Sequence, residues 1–293
     1  MDIFYYIDFF IYRVLYKLGL QSNYFSLQQI NLRYIKRDSK ILKSKNYTYP
    51  PQLHQCNKIW VFWAQGKEKM PPIVKQCYNS IVKNKGNNEV VLLNINNYKQ
   101  YVTIPPHVEQ KLEKGQITIT HFSDILRFAL LKEYGGWWLD ATIYVNKKIP
   151  HLNTLFTIKN ESSNIYVSKN KWSGFLWYIP HLHPMPKFIY DYLIHYWARH
   201  DSLINYFLID YVIQIFTLRN SIFLSEINNI PINNPHLYFL SSEKGEEIYS
   251  EELWNKICKT TSFFKNSWKK NYIFEKENQY TFCGKIFSEQ TTI

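Results

Sequence analysis

The chain has 293 residues, 46% of them hydrophobic and 18% aromatic, with only 9 glycines and 12 prolines. That composition excludes a disordered or fibrous chain, and the length suits one α/β catalytic domain with insertions. The formal charge of +12 fits nucleotide diphosphates, anionic lipids or a solvated surface, and no nucleic acid partner is expected, because the Lys and Arg are scattered with no zinc-finger spacing or RNA-recognition signature.

The chain opens on MDIFYYIDFFIYRVLYKLGL, an aromatic run interrupted by Asp2, Asp8, Arg13 and Lys17. No uncharged stretch reaches the length of a membrane span, and neither a basic leader region nor a small-residue cleavage site is present. The run predicts an amphipathic helix that either docks on the protein or lies in a membrane interface, the two acids favouring docking. Arg33, Lys36, Arg37, Lys40, Lys43 and Lys45 then precede Pro50-Pro51 and read as an irregular basic connector, solvated or touching lipid head groups. Residues 1–55 are therefore set apart from a catalytic domain at 56–293. Cys56, Cys77, Cys258 and Cys283 fall at wide, irregular spacings, which predicts reduced packing residues and a cytoplasmic protein.

From Lys58 the pattern changes. IWVFWAQG predicts a strand ending at Gly66; Pro71-Pro72 then opens an amphipathic helix through Ile73, Val74, Cys77, Ile81 and Val82, and Glu89 to Leu93 supplies a second strand. This is the βαβ rhythm of a sheet whose ligand sits beyond the carboxyl ends of its strands. Neither GxGxxG nor GxxxxGK[ST] occurs, so phosphate has to be met by side chains and metal.

Thr120 to Val145 reads THFSDILRFALLKEYGGWWLDATIYV. Thr120 or Ser123 is the expected helix cap, Gly135-Gly136 the stop, and Trp137 to Val145 the strand that follows. Asp124 and Arg127 share one helical face beside an apolar stripe, which makes them either a surface ion pair or a pair looking into a pocket. Asp140 tips that choice towards a site: an acid in an apolar strand has to be solvated, paired or bound to metal.

The run SDILRFALLKEYGGWWLDATIYV resembles the sugar-nucleotide motif of the capsular polysaccharide synthesis glycosyltransferases, relatives of the glycosyltransferases with a DXD sugar-binding region. The resemblance extends from about Ile59 to Asp210 and more weakly to the C-terminus. It implies an α/β fold of GT-A type, a Rossmann-like nucleotide-sugar-binding domain carrying helical N- and C-terminal additions. It also implies a nucleotide-sugar donor whose diphosphate and Mn²⁺ or Mg²⁺ are met by carboxylates. Here Asp140-Ala141-Thr142 leaves one acid and a hydroxyl where two acids usually stand, so Asp140 is the expected metal ligand, with weak protein-only affinity. The strand IWVFWAQG looks like the family's first strand. Its Trp63 is either a stacking surface for the donor base or a core residue. His121, just before the key helix, is more readily structural than a phosphate contact.

Further on, Trp172, Phe175, Trp177, Tyr178, His181 and His183 form a cluster suited either to sugar faces or to an interior. A helix is predicted from Lys187 to Arg199. Asp210 stands in the apolar segment INYFLIDYVIQIF, and a similar YF-x-x-D run recurs in the capsular family; it would act on the acceptor hydroxyl or bond backbone amides. TTSFFKNSWKKNY looks like a degenerate form of the family's C-terminal basic motif, with Lys265 or Lys269 placed to neutralise a diphosphate. No histidine follows His236.

Together these readings predict a glycosyltransferase of hexosyltransferase type. It is expected to move a sugar from a nucleoside diphosphate (expected to be UDP) to a hydroxyl of a growing capsular or lipopolysaccharide glycan or a lipid-linked glycan, at the inner face of the cytoplasmic membrane, and the resemblance implies retention of configuration. Asp140 and Asp210 are the expected catalytic acids, and Trp63, Asp124, Arg127, Thr142 and Lys265 the expected substrate contacts. A membrane-associated scaffold that keeps the fold and nucleotide binding without turnover, and a glycoside hydrolase built on Asp140 and Asp210, are the alternatives.

Overall fold

Alternation along three strands decides the architecture of the computed structural model, which describes residues 1–20 and 22–288. Trp60, Phe62, Trp138, Trp177 and Ile179 fall in one buried cluster, and Ile59, Val61, Trp137, Leu139, Leu176 and Tyr178 in another. Strands apolar on both faces need cover on both sides, so helices pack above and below the sheet. Its strands are β1 (Lys58–Phe62), β2 (Glu89–Leu93), β3 (Gly136–Leu139), β5 (Phe156–Thr157) and β6 (Leu176–Ile179), in the order β2-β1-β3-β6-β5. The first three are parallel; β6 and β5 run antiparallel. The fold is therefore mixed α/β, with the parallel half built as the βαβ pattern predicts.

Helix α3 (Pro72–Lys83) links β1 to β2 and buries Ile73, Val74, Cys77 and Ile81. After α4 (Pro106–Glu113), helix α5 (Ile119–Glu133) leads into β3 and packs on α6 (Pro184–Arg199). Helix α5 starts earlier than expected: Thr118, not Thr120 or Ser123, is the cap, its hydroxyl accepting from the His121 N–H at 3.2 Å. Helices α7 (Leu208–Arg219) and α8 (Ser221–Asn229) extend this layer. The strand expected through Val145 breaks at Asp140: β4 (Ile143–Val145) leaves the sheet and pairs antiparallel with β7 (Phe263–Lys265), Ile143 facing Lys265. Around that pair α9 (Glu251–Thr260), the β8–β9 hairpin (275–276 and 279–280) and α10 (Phe282–Ser288) add a third cluster, with Trp254, Phe264 and Phe282 at its centre.

The basic segment is not an irregular connector. Leu27–Asp38 forms α2, followed by a 3₁₀ turn, and Ile30, Tyr34, Ile35 and Leu42 are buried; Tyr34, Ile35 and Leu42 join the main core. Arg33 pairs with Asp8 at 3.0 Å and Arg37 with Asp2 at 2.8 Å, tying α1 (Ile3–Lys17) to α2. Helix α1 itself buries no residue; Ile3, Phe4, Tyr6, Ile7, Phe10 and Val14 are exposed. Among the described residues no helix is long and apolar enough to cross a membrane. All four cysteines are free thiols.

Gly135 and Gly136 join α5 to β3 at φ 68° and 96°. A Cβ on Gly135 would lie 2.5 Å from the His181 nitrogen, and one on Gly136 2.6 Å from the Lys58 carbonyl oxygen. Both strain and backbone overlap forbid a side chain there. Gly136→Ala is expected to destabilise the fold by about 3 kcal/mol or more, read by chemical denaturation; a loss below about 1 kcal/mol would mean that the β1–β3 pairing yields without cost.

Candidate active site

At the carboxyl ends of β1 and β3 the surface opens into a cleft of about 1050 Å³. Trp63, Asp124, Arg127, Asp140, Thr142, Asp210 and Lys265 all line it, so residues spread over two thirds of the chain meet in one place. Lys269 and Trp172 line it as well.

The geometry starts from α5. One face of that helix carries His121, Asp124 and Arg127 at intervals of three residues, so the side chains stack along it. Asp124 Oδ1 lies 3.2 Å from Arg127 Nη1, and its Oδ2 lies 3.4 Å from His121 Nδ1. The expected alternative of a surface ion pair fails on burial: Arg127 is 3% exposed, and its Nε makes no hydrogen bond. His121 is buried against Trp197 and acts as a support for Asp124 rather than a wall of the cleft.

Asp140 sits where the chain leaves the sheet. Its N–H donates to the Phe175 carbonyl at 3.0 Å, and its own carbonyl accepts from the Ile143 N–H at 2.9 Å. Oδ1 accepts from Arg127 Nη2 at 3.2 Å and from the Trp138 indole at 2.9 Å; Oδ2 accepts from Lys265 Nζ at 3.1 Å. Burial works to raise this carboxyl's pKa, but the Lys265 ammonium and Arg127 guanidinium outweigh it and hold the group below the usual carboxylate range. Lys265 also donates to Thr142 Oγ1 at 2.6 Å. The β4–β7 register brings Lys265 here, and the Asn266 N–H donating to the Thr142 carbonyl at 3.0 Å extends it by one residue.

Across the cleft, Asp210 stands in the first turn of α7 and accepts from the Trp172 indole at 2.7 Å. Burial pushes its pKa up to about 6, with Trp172 opposing and Asp124 adding to the rise. Asp140 and Asp210 thus have opposite environments, one flanked by cations and one by apolar surface.

Trp63 follows β1, half-buried, its ring edge-on to Trp268 with centroids 6.0 Å apart. Sequence pattern misses Trp268, and with it Tyr206 and Tyr238, although all three line the cleft and are 48%, 67% and 54% exposed. In a chain this aromatic, a loop Tyr or Trp carries no mark of its own. Of the predicted aromatic cluster, Trp172 and Phe175 reach the cleft, whereas Trp177 and Tyr178 are core and His183 is buried beside Tyr49 and Glu226.

The donor set does not fit the expected Mn²⁺ or Mg²⁺. A hard cation needs several free oxygens, yet both oxygens of Asp140 already take hydrogen bonds from protein, two of these donors being cationic. Among the described residues no three His, Cys, Asp or Glu side chains come together as a cage.

The profile of a family described as Capsular polysaccharide synthesis protein matches residues 13–286. O-glycosyltransferase PaGT of Phomopsis amygdali is 29% identical over 117 residues, 36% of this chain and 28% of that protein. O-glycosyltransferase braB of Annulohypoxylon truncatum is 27% identical over 100 residues, 31% of this chain and 24% of that protein. The match therefore spans about a quarter of either relative's length. A solved structure, PaToxG Glycosyltransferase, has 15% identity and a TM-score of 0.44 over 78% of this chain and 84% of its own.

Asp210 makes stability depend on pH. Its folded pKa of about 6 lies above the ordinary 3.8, so the native state favours the protonated acid; that stabilisation is complete at low pH and is lost as pH rises through about 6. Asp210→Asn keeps an acceptor for Trp172 and removes the charge. It is expected to match the parent protein near pH 4 and to exceed its stability above about pH 7 by roughly 2 kcal/mol, read by denaturation at both pH values. Equal stability curves at both would show that Asp210 ionises as freely as in the unfolded chain.

Proposed function

We propose, from the premise that this chain belongs to the capsular polysaccharide synthesis protein family, that it is a GT-A type glycosyltransferase. It moves a sugar from a nucleoside diphosphate, UDP first among the candidates, to a hydroxyl of a growing capsular or lipid-linked glycan, with retention of configuration. One observation carries this reading: Asp124, Arg127, Asp140, Thr142, Lys265 and Asp210 converge on one cleft beyond the carboxyl ends of the parallel strands, where α/β sheets bind nucleotides.

In this reading Asp124 and Arg127 hold the sugar hydroxyls, and Trp63 with Trp268 flanks the base. The anomeric C–O bond to phosphate breaks and its electron pair stays on the diphosphate. The acceptor oxygen forms the new bond, and its proton passes to Asp210 or to the leaving phosphate. Asp210 suits proton transfer because a pKa of about 6 lies near neutrality. Exposed Tyr206, Tyr238 and Trp268 at the cleft offer ring faces to the acceptor glycan.

Helix α1 supplies a second surface. Its two acids face α2 and are neutralised there, while Ile3, Ile7, Phe10 and Val14 form an outward strip edged by the exposed Arg13 and Lys17. An apolar face with a basic edge complements an anionic membrane surface, and peripheral inner-leaflet contact belongs to the proposal.

Two measurements test these assignments. Incubation with a panel of nucleotide sugars should release nucleotide for one donor, and Asp124→Asn and Arg127→Lys should each lower kcat/KM by at least about 30-fold; nucleotide binding with no release under any condition would instead favour the scaffold reading. For α1, a chain beginning at Ser22 keeps the buried residues of α2. It should lose co-sedimentation with anionic vesicles, while full-length binding falls as salt rises. Equal sedimentation of both chains would reject membrane contact, and concentration-dependent self-association of the full chain alone would assign the strip to a second copy.

A further inference from the structure

Resting on the nucleotide-sugar reading above, we propose that Lys265 takes the place of the divalent cation: its ammonium, held by Asp140 and Thr142, meets the donor diphosphate, and transfer proceeds without metal.

The placement of Lys265 is built into the fold. It closes β7 opposite Ile143, its N–H donates to the Leu237 carbonyl at 2.7 Å, and the next residue bonds back to Thr142. The side chain is 22% exposed and passes over the Phe175 ring at 4.9 Å from the centroid. An ammonium has three N–H donors. Asp140 Oδ2 and Thr142 Oγ1 take two, and the third remains for a phosphate oxygen in the cleft.

Thr142 explains the exchange of charge carriers. A second acid there would complete a carboxylate pair for a cation; a hydroxyl instead accepts from an ammonium without adding charge. A divalent ion approaching Asp140 would meet Lys265 at 3.1 Å from Oδ2 and Arg127 at 3.2 Å from Oδ1, both repelling it. Lys269 lines the same cleft and adds positive charge towards the diphosphate. The cations that satisfy Asp140 therefore carry out the charge neutralisation that a metal performs elsewhere.

Titration calorimetry of the full chain with UDP and the nucleoside diphosphates of the donor panel, in EDTA and then with Mn²⁺ or Mg²⁺, decides between the two. Affinity and donor turnover are expected to agree within about twofold with and without metal, while Lys265→Met weakens diphosphate binding by about 10- to 100-fold and Lys265→Arg recovers part of it. Binding and turnover abolished by EDTA and restored by Mn²⁺ would overturn the assignment of Lys265 and leave the nucleotide-sugar reading standing. Absence of binding to every nucleoside diphosphate tested would overturn both. If Lys265→Met fails to fold, the metal titration of the unaltered chain still separates the two outcomes.

Discussion

A carboxylate among aromatic side chains is the constraint on which the rest of this structure depends. Asp140 loses most of its water, and an isolated acid there would simply take up a proton. It stays ionised because three elements send donors to it: α5 sends Arg127, β3 sends Trp138 and β7 sends Lys265. Helix α5 packs in the first buried cluster, β3 in the first and second, and β7 in the second and third. Arg127 in turn is a buried cation that needs both Asp124 and Asp140, so the group is a chain of charges in which no member is tolerable alone.

The backbone is shaped around the same requirement. A strand continuing straight past Leu139 would have kept Thr142 and Ile143 in the sheet, far from any C-terminal residue. Breaking at Asp140 lets β4 recruit β7, and the register of that pair delivers a lysine to an aspartate 125 residues away. At the other end of β3, Gly135 and Gly136 allow the close approach of β1 and of the loop before α6 that seats this strand in the sheet.

Much of this is legible in local pattern. β1, α3, β2 and α6 follow from alternation, proline and helical spacing, and the run from Ser123 to Val145 marks the site through residues that are costly to bury without purpose. What escapes has a physical reason in each case. Helix α2 hides because its lysines and arginines mask a narrow apolar stripe of Ile30, Tyr34 and Ile35, and because Arg33 and Arg37 look solvated until Asp8 and Asp2 are placed beside them. The break at Asp140 is invisible because both halves favour strand, and only the pairing with β7 decides it. Trp268, Tyr206 and Tyr238 act through position, which no single residue encodes. The hydrogen bond between Lys265 and Thr142 escapes as well, since no local pattern places the two side by side.

The late arrival of β7 has a consequence for how the protein is made. A chain leaving the ribosome at about 5–20 residues per second presents α5 and β3 well before β7 exists. During that interval Asp140 has Arg127 and no lysine, β4 has an unpaired edge, and the hydrophobic cluster around Trp254 and Phe264 is incomplete. The nascent molecule thus holds an exposed strand and a half-neutralised acid, the kind of intermediate that chaperones shelter. The second cation on Asp140 arrives only when β7 docks and sets Lys265 beside it, so the charge balance of the cleft is among the last features of the fold to form.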